Sequence, residues 1–168
     1  FAGRVEPNAE NYYAEPAPMR QTGLEVTPLS SVYSFEAGGI ALEVRFTSPL
    51  LPDDLELLSR PASYVSLQVR SADGRPHQVQ VYLDVTGEWC VDTSDQRIVC
   101  RQERHEGLTV LQASNVEQNA LHASGDDRRI DWGHFMLALK PSPDVRTFLD
   151  SAAIRKEFVR NGEITGSG

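Results

Sequence analysis

Adjacent carboxylates, carboxylates next to tryptophan, and a pair of cysteines are the residues of this chain with chemistry to offer. Asp53-Asp54 sits in a proline-rich stretch, and Asp126-Asp127 precedes Arg128-Arg129 and Asp131-Trp132. Paired carboxylates can hold calcium or exchange protons with a substrate. Neighbouring residues on a strand face opposite ways, however, and seldom share one substrate. Asp53, Asp54 and Asp131 are therefore weak catalytic candidates. The competing reading has Asp53 or Asp54 capping a helical turn and Asp126-Asp127 in a turn with ion pairs to the arginines. Glu88-Trp89 and Asp131-Trp132 each set an acid beside an indole, which makes Trp89 and Trp132 candidates for lining a cleft for a sugar or another polar ligand. A core indole beside a solvated acid is the commoner outcome.

Cys90 and Cys100 bound the run CVDTSDQRIVC. If Ser94-Asp95-Gln96 makes a three-residue hairpin turn, Cys90 falls opposite Cys100, and directly opposed residues share a face. A cross-strand disulfide is then sterically allowed, with two separate thiols as the alternative. The four histidines, His77, His105, His122 and His134, show no metal-ligand spacing. Neither a Gly-x-Ser-x-Gly nucleophile elbow nor a phosphate-binding glycine loop is present. No cofactor or metal is implied.

The elements that must position these residues are mostly strands. Residues 1–22 carry three prolines and no clear period and read as irregular. Leu24 and Val26, then Val32, Tyr33 and Phe35, suggest two short strands or one broken at Pro28, with a turn at Gly38-Gly39. Ile40, Leu42, Val44 and Phe46 alternate with polar residues, the period of a strand with one wet face. Val65, Leu67 and Val69 repeat that pattern, and Val79, Val81, Leu83 and Val85 do so again after an Asp73-Gly74 turn, so the last two segments read as a hairpin. Glu88–Val91 with Arg97–Gln102 reads as a cysteine hairpin and Leu108–Gln112 as a short strand. His134–Leu139 reads as a strand buried on both faces. Val145, Phe148, Leu149 and Ala152 have helical spacing, so a helix capped by Ser142 or Asp144 is expected to run to about Arg160 and stop at Gly162, unless Asp150-Ser151 begins a separate one.

Between two of these strands lies FTSPLLPDDLELLSRP, Phe46–Pro61, which combines three prolines with leucines at 50, 51, 55, 57 and 58. Leucines in water are unfavourable, so the loop is expected to act as a crossover that packs on the sandwich or meets another domain, with a helical turn within Pro52–Ser59. The fold class is thus mostly β: an antiparallel β-sandwich with a short helical turn in the long loop and a C-terminal helix. The expected organisation is an irregular segment over 1–22, a β-sandwich over 23–143, a helix and linker start over 144–162, and a tail over 163–168.

Composition narrows the partners. Lys and Arg number 16 against 24 Asp and Glu, a net charge of −8 spread along all 168 residues. Nucleic-acid binding depends on clustered basic residues and is not expected. No apolar run nears the roughly 18 residues of a membrane span. The chain begins at Phe1 rather than Met and reads as processed or excised.

The run EVTPLSSVYSFEAGGIALEVRFTSPLLPDDLELLSRPASYVSLQVRSADGRPHQVQVYLDVTGEW from Glu25 to Trp89, followed by EQNAL, GDD and RIDWG, closely resembles the N-terminal domain of the large glutaminase A proteins of fungi and bacteria. The resemblance extends in order over roughly Gly23 to Gly162. It implies a supersandwich-like domain ahead of an (α/α) helical-toroid domain, as in some glycoside hydrolases. It also implies a secreted or periplasmic parent in which the full-length protein hydrolyses the glutamine side-chain amide. No catalytic residue is carried over by it, so whether the chain is itself an enzyme stays open. Cys90 and Cys100 depart from the family pattern, in which apolar residues are expected. The resulting expectation is an accessory domain, inactive alone, whose partner is the downstream helical domain and which meets a small-molecule or glycan substrate only through the full-length protein. The alternative is a carbohydrate-binding or accessory domain of a glycoside-hydrolase-like enzyme.

Overall fold

A computed structural model describes residues 17–126, 128–149 and 153–165. The chain divides into two compact units, Phe1–Val79 and Gln80–Gly168. Among the described residues each contains one antiparallel sheet, and the mostly β class expected from the patterning holds.

The first unit is a four-stranded meander of β1 (Arg20–Val26), β2 (Ser30–Ala37), β3 (Ile40–Thr47) and β4 (Tyr64–Ser71), paired in that order. The register sets Phe35 opposite Leu42 and Leu42 opposite Val69, and likewise Tyr33, Val44 and Leu67 in the next row. Opposed residues share a face, so the alternating apolar positions of three strands merge into one apolar surface. Phe35 and Val44 at its centre are buried, each worth about 1.5–3 kcal/mol. Tyr33 packs edge-on against Phe46 with ring centres 6.0 Å apart. Gly38 and Gly39, at φ +57° and +78°, form the tight turn between β2 and β3.

β1 begins at Arg20, inside the stretch expected to be irregular, because Arg20 pairs with Glu36 across the strands at 2.7 Å. The 1–16 portion of that stretch lies outside the described residues. The leucine-rich loop joins β3 to β4, which are adjacent and antiparallel, so it is a long hairpin connection and not a crossover. The Ser48 and Ser63 hydroxyls, 3.0 Å apart, close its base. It holds the expected helical turn, α1 (Leu55–Ser59), whose first turn is capped by the Asp54 carboxylate accepting from the Leu57 N–H at 2.9 Å.

The second unit contains β5 (Ile98–His105), β6 (Leu108–Asn115) and β7 (His134–Leu139), with β6 central, and the helix α2 (Ala153–Asn161). Here four expectations change. Val79–Val85 pairs with no strand among the described residues. The apolar positions of its alternation are not the covered ones: Val81 and Leu83 are about half exposed. On the intervening residues, Tyr82 stacks on Phe158 at 5.0 Å and Asp84 accepts from Arg155 at 2.8 Å. Helix α2 is thus clamped to the face the alternation marks as wet.

Gly87–Cys90 is a 3-10 turn, not a strand, so the cysteine hairpin does not form; β5 instead turns back through Glu106-Gly107, both at positive φ, to pair with β6. β7 is an edge strand whose residues alternate exposed and half-buried, and the double burial falls on central β6. α2 spans Ala153–Asn161 and Ser142–Leu149 is turn and irregular chain, so no helix starts at Ser142 or Asp144, while Asp150-Ser151, the alternative start, lies outside the described residues. Ser142 accepts from the Asp144 N–H at 3.3 Å in a local turn. Gly162, at φ +74°, ends the helix as expected, its N–H donating to the Phe158 carbonyl.

Candidate functional site: a polar knot beside an indole-lined groove

β6 ends in two buried polar residues, Ser114 and Asn115. A buried amide left without partners costs about 1–3 kcal/mol, and Asn115 finds them in the chain that follows. Its Nδ2 donates to the Asp131 carbonyl at 2.9 Å, and its Oδ1 accepts from the Glu117 N–H at 3.0 Å. Gln118 repeats the stitch one turn on, donating to the Asn115 carbonyl at 2.8 Å and accepting from the Gly133 N–H at 2.6 Å. The excursion from 116 to 133 is thereby tied to the end of the sheet.

Gln96 ties in a second loop. Its Oε1 accepts from the Asp92 and Thr93 N–H groups at 2.7 and 3.1 Å, and its Nε2 donates to the buried Asp131 carboxylate at 2.7 Å. Because backbone N–H groups only donate, the amide orientation is determined. Asp92 in turn accepts from the Arg129 N–H at 3.1 Å and from Arg128 at 3.0 Å. These bonds, Arg129 first, hold its carboxyl below the usual carboxylate range. The His122 Nε2 stands 3.8 Å from the Asp131 carboxylate, beyond hydrogen-bond length.

Beside this knot lies a groove of about 170 Å³ lined by Trp89 and Cys90 from the 3-10 turn, Ile130, Trp132 and Gly133 from the tied loop, and His134 and Phe135 from β7. That is smaller than the 300–1,000 Å³ or so of a drug-sized pocket and suits a single ring. Trp89 is 72% exposed and meets Phe135 edge-on at 5.6 Å. The Gln112 amide donates to His134 Nδ1 at 2.8 Å, so the neutral ring carries its proton on Nε2.

Residues 29–168 match the family described as "Domain of unknown function (DUF5127)". The chain belongs to that family. This DUF5127 domain is also similar to Glutaminase A of Aspergillus oryzae (strain ATCC 42149 / RIB 40), with 30% identity over 161 residues, 89% of this chain. It spans 22% of that protein's length. No solved structure matches.

Within the DUF5127 domain the candidate residues separate. Trp89 and Trp132, 43 positions apart in sequence, line one groove. Asp54 caps α1, Asp53 is exposed on the same loop, and Asp131 is buried among amide donors in the second unit. Asp126 is exposed and Asp127 lies outside the described residues. Cys90 and Cys100 are free thiols, the first buried and the second exposed. Among the described residues no His, Cys, Asp and Glu group has the makings of a metal site. Gln96, Asn115 and Gln118 were not singled out by sequence reasoning. The one signal available was that EQNAL and RIDWG stand out as runs, and their residues prove to grip each other.

Proposed function

We propose that this DUF5127 domain is the accessory N-terminal β domain of a multidomain, secreted or periplasmic glutaminase, and that it does not hydrolyse glutamine alone. The observation that carries the reading is the match to Glutaminase A, which takes in 89% of this chain but 22% of the relative. The residues agree with it: Asp54 and Asp131 are engaged in a helix cap and a structural knot rather than aimed at open space. Leu50, Leu51, Leu55 and Leu58 are 37–74% exposed on the hairpin loop. Covering them would favour association by about 1 kcal/mol or more apiece, which suits a docking edge for a downstream helical domain of the same polypeptide. The test is ammonia release from glutamine by the isolated 168 residues. No release above the buffer rate is expected, and turnover matching a full-length glutaminase overturns the reading.

A second reading rests on the groove. Two indoles, an aromatic edge and the His134 Nε2–H suit the stacking and hydrogen bonding of a pyranose ring, so the parent could be a glycoside-hydrolase-like enzyme whose accessory domain holds a glycan. Titration with an oligosaccharide panel should then quench or shift tryptophan emission in the native domain and not in Trp89→Ala. A flat response across the panel removes this alternative.

A further inference from the structure

The hairpin expected to pair Cys90 with Cys100 does not form, yet the 3-10 turn that carries Cys90 reaches Ala113, the residue paired with Cys100 across the β5–β6 ladder. The Val116 N–H donates to the Arg97 carbonyl at 2.8 Å, which makes 97/116 a hydrogen-bonded pair of the β5–β6 ladder. Pairs alternate along an antiparallel ladder, so three steps on, Cys100 and Ala113 form a narrow pair whose backbone polar groups point away from each other and whose side chains stand close on a shared face. Ile98 lies on that same face, two residues before Cys100.

The 3-10 turn Gly87–Cys90 covers this face. A Cβ placed on Gly87 would lie 2.1 Å from the Ile98 Cδ1, so the turn rests on Ile98 at one end. At its other end the Cys90 thiol donates to the Ala113 carbonyl at 3.3 Å, and neighbouring Trp89 meets Phe135, the β7 partner of Ala113. The turn therefore runs diagonally from Ile98 to Ala113. It delivers the Cys90 sulfur beside the residue that Cys100 faces. One thiol is buried and the other exposed.

We infer that Cys100 and Cys90 form a thiol–disulfide exchange site for low-molecular-weight disulfides, with Cys100 as the point of entry and Cys90 as the resolving thiol. The Cys100 thiolate attacks one sulfur of a disulfide such as oxidised glutathione, whose S–S bond breaks and releases one glutathione thiolate. The Cys90 thiolate then attacks the Cys100 sulfur of the mixed disulfide and expels the second glutathione. The chain is oxidised by two electrons, one oxidised glutathione is reduced to two thiols, and the two protein protons go to those thiols. The product is a Cys90–Cys100 bond that pins the 3-10 turn, and with it Trp89, to β5.

The experiment treats the whole folded chain with oxidised glutathione without denaturant and follows intact mass and free thiols. Wild type is expected to lose both thiols and end without an adduct, giving a peptide pair that contains Cys90 and Cys100 joined. Cys90→Ser keeps a hydroxyl that can donate to the Ala113 carbonyl, and it should stop at a stable glutathione adduct on Cys100. Cys100→Ser changes an exposed residue and should stay unmodified over the time in which wild type is consumed. The inference is overturned if native wild type accumulates the Cys100 adduct with Cys90 free, or if Cys100→Ser reacts as fast as wild type. The wild-type peptide map decides the matter even if a variant fails to fold.

Discussion

Replacing Gln96 tests whether the polar knot, more than apolar burial, holds the second unit's loops in place. Gln96→Ala removes three hydrogen bonds at once: two to the Asp92 and Thr93 N–H groups and one to the Asp131 carboxylate. Thr93 is exposed, so water replaces that bond with little loss. The Asp92 N–H is half-buried and the Asp131 carboxylate is buried. A neutral bond contributes about 1 kcal/mol and a bond to a charged group about 1.5–3, so the expected loss is about 3 kcal/mol. Urea unfolding followed by tryptophan emission reads this directly, since Trp132 adjoins Asp131; the midpoint should fall by about 1–2 M. Gln96→Glu sharpens the test. It retains the one oxygen facing the Asp92 and Thr93 N–H groups but sets a carboxylate oxygen where the amide donated to Asp131. The introduced carboxylate, set against a buried like charge, is favoured in its protonated form in the folded state. The variant's deficit should therefore be largest at neutral pH and shrink as pH falls towards about 5, because a group raised on folding stabilises below its unfolded value and loses that contribution as pH rises. A loss under about 0.5 kcal/mol in Gln96→Ala, or a deficit in Gln96→Glu that ignores pH, refutes the reasoning.

Other outcomes follow from single positions. Gly39→Ala forces a side chain to φ +78° and puts its Cβ 2.5 Å from the Asp73 carboxylate, while Gly38→Ala at φ +57° meets nothing within 4 Å. Thermal unfolding should rank Gly39→Ala below Gly38→Ala, whose cost is about 1 kcal/mol, and equal midpoints would contradict the contact. Asp73 is held at about 2 instead of 3.8, first by the His77 hydrogen bond and then by the Arg75 N–H. Its contribution is full above pH 3.8 and disappears as pH falls through about 2; carboxyl NMR should show the titration move up in His77→Ala, and an unmoved titration rejects His77 as the main cause. Tyr82 is pushed from 10 up to about 12, by burial first and then by the Asp84 carboxylate. That contribution is full below pH 10 and lost as pH rises through about 12, so tyrosinate absorbance should show a late step that Tyr82→Phe lacks.

Strand existence was legible in the chain because period-two alternation is a local property of backbone geometry. Ile40–Thr47 and His134–Leu139 appear where the pattern places them, and Gly38-Gly39 and Gly162 act where positive φ is needed. The Asp54 cap was legible for the same reason, since the carboxylate reaches an N–H three residues on. Burial was not legible, because it depends on which element arrives from far along the chain. Val79–Val85 carries its alternation faithfully, yet α2, 71 residues beyond Asp84, settles on the Tyr82 and Asp84 side. His134–Leu139 looks apolar enough for a sheet centre but lies at an edge, because strand order is a property of pairing partners.

The candidate site divides along the same line. That indoles and cysteines were the residues to watch is written in the sequence, as is the mostly β class and the kinship of EQNAL and RIDWG with the glutaminase A pattern. That Trp89 and Trp132 share a groove, and that Cys90 reaches Ala113 through a 3-10 turn rather than a hairpin, was decided only in three dimensions. The physical reason is the buried amide of Asn115 and the two-sided grip of Gln96. Hydrogen bonds spanning 16 and 35 residues have no period and no spacing rule, and they exist only once the sheet has excluded water from β6.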